Sequence, residues 1–180
     1  EYSLQAWRSA MHWQDREFGR EHEYFHLRGQ DNLFRYLPVD RFVVRLHEQD
    51  SLSETLIRLG AGLIASCRTE LSRPSDLSNS VLGFLEDREG RLLLENVETI
   101  EETDGQLACR LTSIERLRYA ARDRVPREIM EAAASAGFHV SHRTPLVEGR
   151  LELLHCMREQ SISFDWHRYG NLGIRETEFI

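Results

Sequence analysis

A short apolar strand leads directly into a capped helix in the stretch RFVVRLHEQDSLSETLIRLGAGLIA, residues 41–65. The apolar centre of residues 41–46 is typical of a short buried strand. Ser51 and Glu54 have the spacing of a capping box, in which a serine hydroxyl and a later glutamate satisfy the first free amides of a helix. Gly60 and Gly62 are unfavourable inside that helix, so we expect another element to pack closely against them.

Strands and helices continue to alternate along the chain. Residues 67–71 and 138–140 are predicted as short strands, and a helix is predicted between Pro126 and the C-capping Gly137. A second helix is predicted over residues 149–160, followed by an alternating strand over 161–166. This order predicts an α/β fold with a Rossmann-like parallel sheet and flanking helices. We expect a single domain over residues 1–180, in which residues 161–180 supply a C-terminal strand and a tail motif.

Residues 81–111 interrupt this alternation. Short apolar runs at residues 92–97 and 106–111 are predicted as strands, and Thr103, Asp104 and Gly105 as the turn between them. The segment is therefore predicted as a β-rich insertion, an inserted β-hairpin. The acidic run over residues 86–102 is interpreted as its solvated face.

Composition excludes several kinds of chemistry. All 23 basic residues are arginine, which rules out Schiff-base and P-loop lysine mechanisms. A net charge of -7 argues against a nucleic-acid partner, and the longest apolar runs are too short for a membrane span. Cys67, Cys109 and Cys156 contain no CxxC pair, so neither a disulfide framework nor a cysteine zinc site is indicated. A cytoplasmic location is the simplest expectation, and Cys67 is predicted to be a buried small apolar residue.

The sequence also contains a literal HExxH motif over residues 22–26. Residues 4–27 are predicted as a helix, on which His22 and His26 would share a face and could bind zinc, with Glu23 activating the water of the metal. The position expected for a third ligand carries Asn32. We interpret the motif as accidental and expect no metal here, with a zinc hydrolase kept as the alternative.

A second sequence pattern extends over more of the chain. The strand and capped helix of residues 41–65 are followed by Leu71-Ser72-Arg73-Pro74-Ser75-Asp76. This order resembles the cofactor-binding half of the aldehyde dehydrogenase superfamily, in which the second strand ends in a lysine-proline-serine-glutamate type motif. The resemblance places Arg73 at the lysine that contacts the adenosine ribose. Arginine is longer and planar, so no cofactor binding is expected at this degenerate position. The family's cysteine nucleophile and glutamate base motifs are absent from the sequence.

A narrower resemblance rests on Arg28-Gly29-Gln30-Asp31-Asn32, on Arg35-Tyr36-Leu37-Pro38, and on the tail from Arg158 to Asn171. These segments resemble the C-terminal region of long proline utilisation A proteins, which join a flavin-dependent proline dehydrogenase to an NAD-dependent glutamate-semialdehyde dehydrogenase. The resemblance implies an inactive aldehyde-dehydrogenase-like domain without catalytic residues or a cofactor of its own, in a parent that uses FAD and NAD. It implies packing on the dehydrogenase domain of the same polypeptide, where the tail helps enclose the intermediate. Homo-oligomer formation is compatible with this reading.

The tail has a composition suited to docking. Phe164 and Trp166 would lie on one side of a strand and His167 on the other. The tail continues with Arg168, Tyr169 and Asn171, and these six residues are the predicted interaction residues. An ordinary terminal strand that completes its own sheet is the alternative for this segment. A residual dinucleotide-binding module without catalysis is the third functional alternative.

Overall fold

The computed structural model describes residues 1–78 and 80–165, which form two separate sheets with flanking helices. The strands in chain order are β1 (Glu21–Glu23), β2 (Gln30–Pro38), β3 (Arg41–Arg45), β4 (Arg68–Arg73), β5 (Glu98–Glu101), β6 (Arg116–Arg118), β7 (Val140–Ser141) and β8 (Met157–Asp165). The helices are α1 (Tyr2–Trp13), α2 (Leu52–Ile64), α3 (Ser80–Glu86), α4 (Arg88–Leu93), α5 (Asp104–Cys109), α6 (Arg127–Ala136) and α7 (Gly149–Leu153).

The predicted parallel sheet is confirmed. Five parallel strands lie in the order β5-β4-β3-β6-β7, with β3 at the centre. Val44 of β3 faces an apolar cluster shared with α2, and Val43 faces a second cluster shared with α5 and α6. The sheet is therefore covered by helices on both faces, as expected of a buried parallel sheet. In the described part of the chain, no helix has both the length and the apolarity needed to cross a bilayer.

The βα unit at residues 41–65 forms as predicted. Both hydrogen bonds of the capping box are present between Ser51 and Glu54. A Cβ on Gly60 would lie 2.0 Å from the indole Nε1 of Trp7, and one on Gly62 would lie 2.7 Å from a ring carbon of Phe42. The two glycines thus allow α1 on one side and the sheet on the other to approach the helix closely.

The prediction of a β-hairpin over residues 81–111 is wrong. This segment folds into helices α3, α4 and α5, and contributes only β5, which pairs in parallel with β4 at the edge of the main sheet. Thr103 is the N-cap of α5, and Gln106 completes a capping box with it. Leu107 and Leu111 are buried at helical spacing. The short apolar runs are compatible with the periodicity of a strand and with that of a helix. The Thr-x-x-Gln pattern at residues 103–106 is the sequence signal that favours the helix. The acidic run therefore spans helices and an edge strand rather than a hairpin face.

The helices predicted over residues 4–27 and 149–160 are both shorter in the structure. The first helix runs as α1 and a π-helical turn over Gln14–Phe18, then ends at Gly19. Phe18 is buried, whereas Phe25, which shared its predicted stripe, is 70% exposed. The helix predicted over residues 149–160 ends after the 3-10 turn Leu154–Cys156, and β8 begins at Met157. β8 joins β1 and β2 in an antiparallel sheet in the order β1-β2-β8.

Candidate functional site

The carboxyl ends of β3, β4 and β6 lie along one edge of the parallel sheet, where open α/β sheets bind their ligands. Arginines occupy the last position of all three strands: Arg45, Arg73 and Arg118. Arg45 and Arg118 are buried. A buried guanidinium must be paired, so the partners of these side chains decide what this edge can hold.

Arg45 is fixed by the end of β4 and by the chain that follows β5. Its Nη1 donates to Ser72 Oγ at 2.9 Å and to the carbonyl oxygen of Glu102 at 3.0 Å, and its Nη2 donates to Asp104 at 2.7 Å. Ser72 in turn donates to the Glu102 carboxylate at 2.6 Å. Burial alone would raise the pKa of Glu102, but hydrogen bonds from Arg110 and Ser72 outweigh it and hold that pKa below its ordinary value.

Arg58 of α2 bridges the carboxyl ends of β3 and β6. Its Nη1 donates to the carbonyl oxygens of Arg45 and Arg118 at 3.0 and 3.4 Å. Its Nη2 lies 2.6 Å from Asp50, and both side chains are fully buried. Arg124 also binds Asp50, at 2.8 Å. Burial lowers the pKa of Arg58, and the charge of Asp50 opposes that effect.

Arg118 completes this set of ion pairs. Its Nη2 lies 2.9 Å from the Glu152 carboxylate, and both side chains are buried. Its Nη1 donates to the carbonyl oxygens of Tyr119 and Arg143. We call Arg45, Arg58, Arg118 and their partners the ion-pair edge. The edge offers guanidinium groups and carboxylates that already pair with one another.

Arg73, the predicted degenerate cofactor position, lies at the end of β4. Its Nη2 forms an ion pair with Glu101 at 2.8 Å, across the register pair that joins β4 and β5. A cavity of about 220 Å³ opens beside it, lined by Leu82, Leu85 and Arg91 among others. Ligand pockets for small molecules are commonly about 300–1,000 Å³. The guanidinium of Arg73 is thus already neutralised, beside a cavity that is small for a dinucleotide.

The HExxH residues do not share a helix. His22 and Glu23 belong to β1, and His26 follows in a loop with a φ of 47°. The Glu23 carboxylate accepts the backbone N–H groups of Phe25, His26 and Asn32. Desolvation alone would raise the pKa of Glu23, but these bonds lower it. The helical premise of the zinc alternative is therefore wrong, and no group of three potential metal ligands converges among residues 1–78 and 80–165.

The antiparallel sheet forms an exposed ribbon. β2 pairs with β8 over nine residues, from Gln30 opposite Asp165 to Pro38 opposite Met157. On one face, Phe34 and Tyr36 pack in a row of rings that reaches the buried Phe18. Side-chain alternation places four apolar residues on the other face, Leu33, Leu37, Ile162 and Phe164, which they share with Asp31, Arg35, Arg158 and Gln160.

We call those four residues the ribbon apolar face. Phe164 is 56% exposed, and the other three are half-buried. Of the predicted interaction residues, Phe164 therefore lies on an accessible surface. Trp166, His167, Arg168, Tyr169 and Asn171 lie outside the described residues. Cys67, predicted as a buried apolar residue, is buried and contacts the carbonyl oxygen of Cys156 at 3.3 Å.

The ion-pair edge was not predicted from the sequence. A signal was present, because Arg45 and Arg58 each stand alone within an apolar run, in FVVRL and LIRLG. A lone charge in a core segment requires a buried partner. The partners are far away in sequence, so spacing alone could not identify them.

Comparisons with known proteins place this geometry in a structural context. No protein-family profile and no curated protein matches the sequence. Among solved structures, Proline Utilization A from Corynebacterium freiburgense aligns over 93% of this chain with a TM-score of 0.62 and 27% identity. The chain spans 14% of the length of that protein.

Two further structures share the fold. A Proline Utilization A variant from Bradyrhizobium japonicum aligns over 78% of this chain and 15% of its own, with a TM-score of 0.58 and 18% identity. The NAD+ complex of an aldehyde dehydrogenase from Bacillus cereus aligns over 77% of this chain and 28% of its own, with a TM-score of 0.58 and 16% identity. The predicted resemblance to an aldehyde-dehydrogenase-like domain of proline utilisation A proteins is confirmed.

Proposed function

We propose that this chain is a non-catalytic interaction domain of a bifunctional proline-catabolic oxidoreductase. In this proposal it packs on the glutamate-semialdehyde dehydrogenase domain of the same polypeptide and helps enclose the intermediate, while FAD and NAD bind elsewhere in the parent. The likeness to Proline Utilization A over 93% of the chain supports this placement. The 14% share of that longer protein is the share expected of one domain.

The ion-pair edge supports the absence of chemistry in this domain. Arg45, Arg58 and Arg118 fill the edge at which a parallel sheet of this kind binds a dinucleotide. To admit a pyrophosphate, a carboxylate such as Asp50 or Glu152 would have to leave its arginine. Breaking a buried pair costs about 3–5 kcal/mol, which opposes binding. Arg73, whose charge is paired with Glu101, is a second argument against cofactor binding.

The observation that carries the proposal is the ribbon apolar face. β8 pairs with β2 on one side, and among the described residues its other edge has no strand partner. An exposed strand edge beside exposed apolar side chains is a surface that another chain can cover. Phe164 belongs to the tail predicted to dock, and the other predicted interaction residues follow it in the sequence.

The test uses the full-length parent polypeptide. Phe164→Ser should reduce coupled proline-to-glutamate turnover and leave the proline dehydrogenase step unchanged, because the substitution weakens packing between domains and not the flavin site. Large aromatic anchors of this kind contribute about 2 kcal/mol or more to an interface. Trp166→Ala and Tyr169→Ala should have the same effect.

Tyr2→Ser is the matched control, because Tyr2 is 68% exposed on the first turn of α1, at the end of that helix away from the ribbon. Both variants should unfold at the temperature of the unchanged protein. The proposal fails if Phe164→Ser leaves the coupled rate unchanged, or if Tyr2→Ser lowers it equally.

A further inference from the structure

One face of the β6–β7 pair collects positively charged and polar side chains. The register places Leu117 beside Val140 and Arg118 beside Ser141. Leu117 and Val140 belong to the apolar cluster shared with α5 and α6. Because side chains alternate across a strand, Arg118, Ser141 and the preceding Arg116 lie on the opposite face.

Imidazoles adjoin the same face. Nδ1 of His155, in the turn after α7, lies 2.8 Å from Ser141 Oγ. His139 precedes β7, on the side of the sheet that carries Ser141, and His142 follows β7. Burial, and then the charges of Arg118 and Arg116, lower the pKa of His155 to about 3. Burial, Arg116 and His142 also lower the pKa of His139. These two rings are therefore neutral at pH 7, next to guanidinium groups.

The carboxylates near this face already have partners. Glu152 of α7 pairs with Arg118 at 2.9 Å and accepts the backbone N–H of Leu146 at 3.0 Å. Glu115, which precedes β6, pairs with Arg158 of β8 at 3.4 Å and accepts the backbone N–H of Asp40 at 2.7 Å. The remaining charged neighbour, Arg143 in the loop after β7, adds a further positive charge beside His155.

Arg116 has no such partner. Its Nε is buried and has no hydrogen-bond acceptor among the residues that the structure describes. Nine in ten or more buried polar groups in proteins are hydrogen-bonded, so we expect this donor to be paired by water or by a bound ligand. Such a ligand must be an acceptor, because arginine has only donors.

We propose that the face formed by Arg116, His139, Ser141 and His155, the β6–β7 basic face, binds a small oxyanion, a phosphate or carboxylate group, that accepts a hydrogen bond from Arg116 Nε. His139 provides a further donor, and so does the Ser141–His155 pair, which keeps one O–H or N–H beyond the hydrogen bond that joins the two residues. The negative charge of the ligand favours protonation of His139 and His155, so binding takes up a proton. The affinity for the oxyanion consequently rises as the pH falls.

This site is separate from the ribbon apolar face and does not depend on the proposed function. The test is titration of the 180-residue chain with inorganic phosphate and, separately, with acetate, followed through the histidine ring resonances by NMR. We expect saturable shifts of His139 and His155. With acetate, whose own charge does not change between pH 8 and pH 6, the affinity should rise by up to about tenfold per pH unit as the pH falls, since one proton is taken up. Saturation by phosphate alone identifies a phosphate site, and saturation by acetate as well identifies a general carboxylate and phosphate site.

Arg116→Gln should weaken the affinity by about tenfold or more, because it removes a charge-assisted hydrogen bond. Arg127→Gln is the matched control, since the Arg127 side chain is 90% exposed and pairs with Glu131 on the surface of α6. His139→Gln, at an exposed position, should weaken the affinity severalfold and provides the test if Arg116→Gln does not fold. The proposal is overturned if neither anion gives saturable shifts, or if neither Arg116→Gln nor His139→Gln binds more weakly than Arg127→Gln.

Discussion

Replacing Asp50 with alanine should destabilise the domain more than any surface ion-pair mutation. Asp50→Ala leaves Arg58 without the carboxylate 2.6 Å from its Nη2, and it removes the partner that Arg124 binds at 2.8 Å. Asp50 and Arg58 are fully buried, so water cannot replace the lost partner. Removing one member of a buried pair costs about 3–5 kcal/mol. For a chain of this size we expect the melting temperature to fall by about 6–20 °C.

The matched control is Glu131→Ala, which breaks the Arg127–Glu131 pair of α6. That pair has the same 2.6 Å separation, but its side chains are 90% and 62% exposed. Its loss should cost less than about 0.5 kcal/mol of unfolding free energy. Because the two pairs have the same separation, the comparison measures the effect of burial alone. The assay is urea unfolding followed by circular dichroism, with calorimetric melting as a second probe. Our account of a buried ion pair whose members need each other would be refuted by either of two results. One is a loss in Asp50→Ala of less than about 1 kcal/mol of unfolding free energy, and the other is a loss no larger than that in Glu131→Ala.

NAD binding, zinc binding and the pH dependence of stability provide three further tests. In calorimetric titration the isolated chain should bind NAD weakly or not at all, since the ion pairs occupy the sheet edge; micromolar affinity that is lost in Arg73→Ala would contradict this. Purified protein should show no stoichiometric zinc that depends on the HExxH residues, because His22 and His26 do not share a helix; one tightly held equivalent, lost in both His22→Ala and His26→Ala, would establish a metal site. The free energy of unfolding should decrease as the pH falls from about 6.5 towards about 3. Over that range His155 takes up a proton in the unfolded chain but stays neutral in the folded chain. In urea unfolding across that range, His155→Gln should lose less stability than the unchanged protein, and an equal loss would argue against a buried neutral ring.

The sequence predicted those parts of the fold whose signals are local. The capping box at Ser51 and Glu54 and the C-cap at Gly137 each specify a helix end within a few residues, and both are present. Gly60 and Gly62 correctly indicated close packing, although the sequence did not identify Trp7 as the side chain that packs there.

Parts that depend on distant partners could not be predicted in the same way. Residues 106–111 have an apolar pattern that fits a strand or a short helix, and burial of Leu107 and Leu111 against α6 favours the helix. Arg45 pairs with Asp104 and Arg118 pairs with Glu152, and the members of each pair are tens of residues apart in the sequence. Phe164 and Arg73 were identified from the sequence as positions of interest, whereas the ion-pair edge and the pairing of β2 with β8 were not.

The position of α1 has a consequence for the order of folding during synthesis. A Cβ on Gly149 would lie 2.1 Å from the backbone nitrogen of Ala10, and the Gly149 amide donates to Ser9 Oγ at 2.9 Å. The first helix therefore packs on a glycine that the ribosome adds nearly 140 residues later. At about 5–20 residues per second, α1 waits roughly 7–30 s for this neighbour. During that time its face towards α7 is uncovered, and the nascent chain is open to chaperone binding or to association with another copy until α7 emerges.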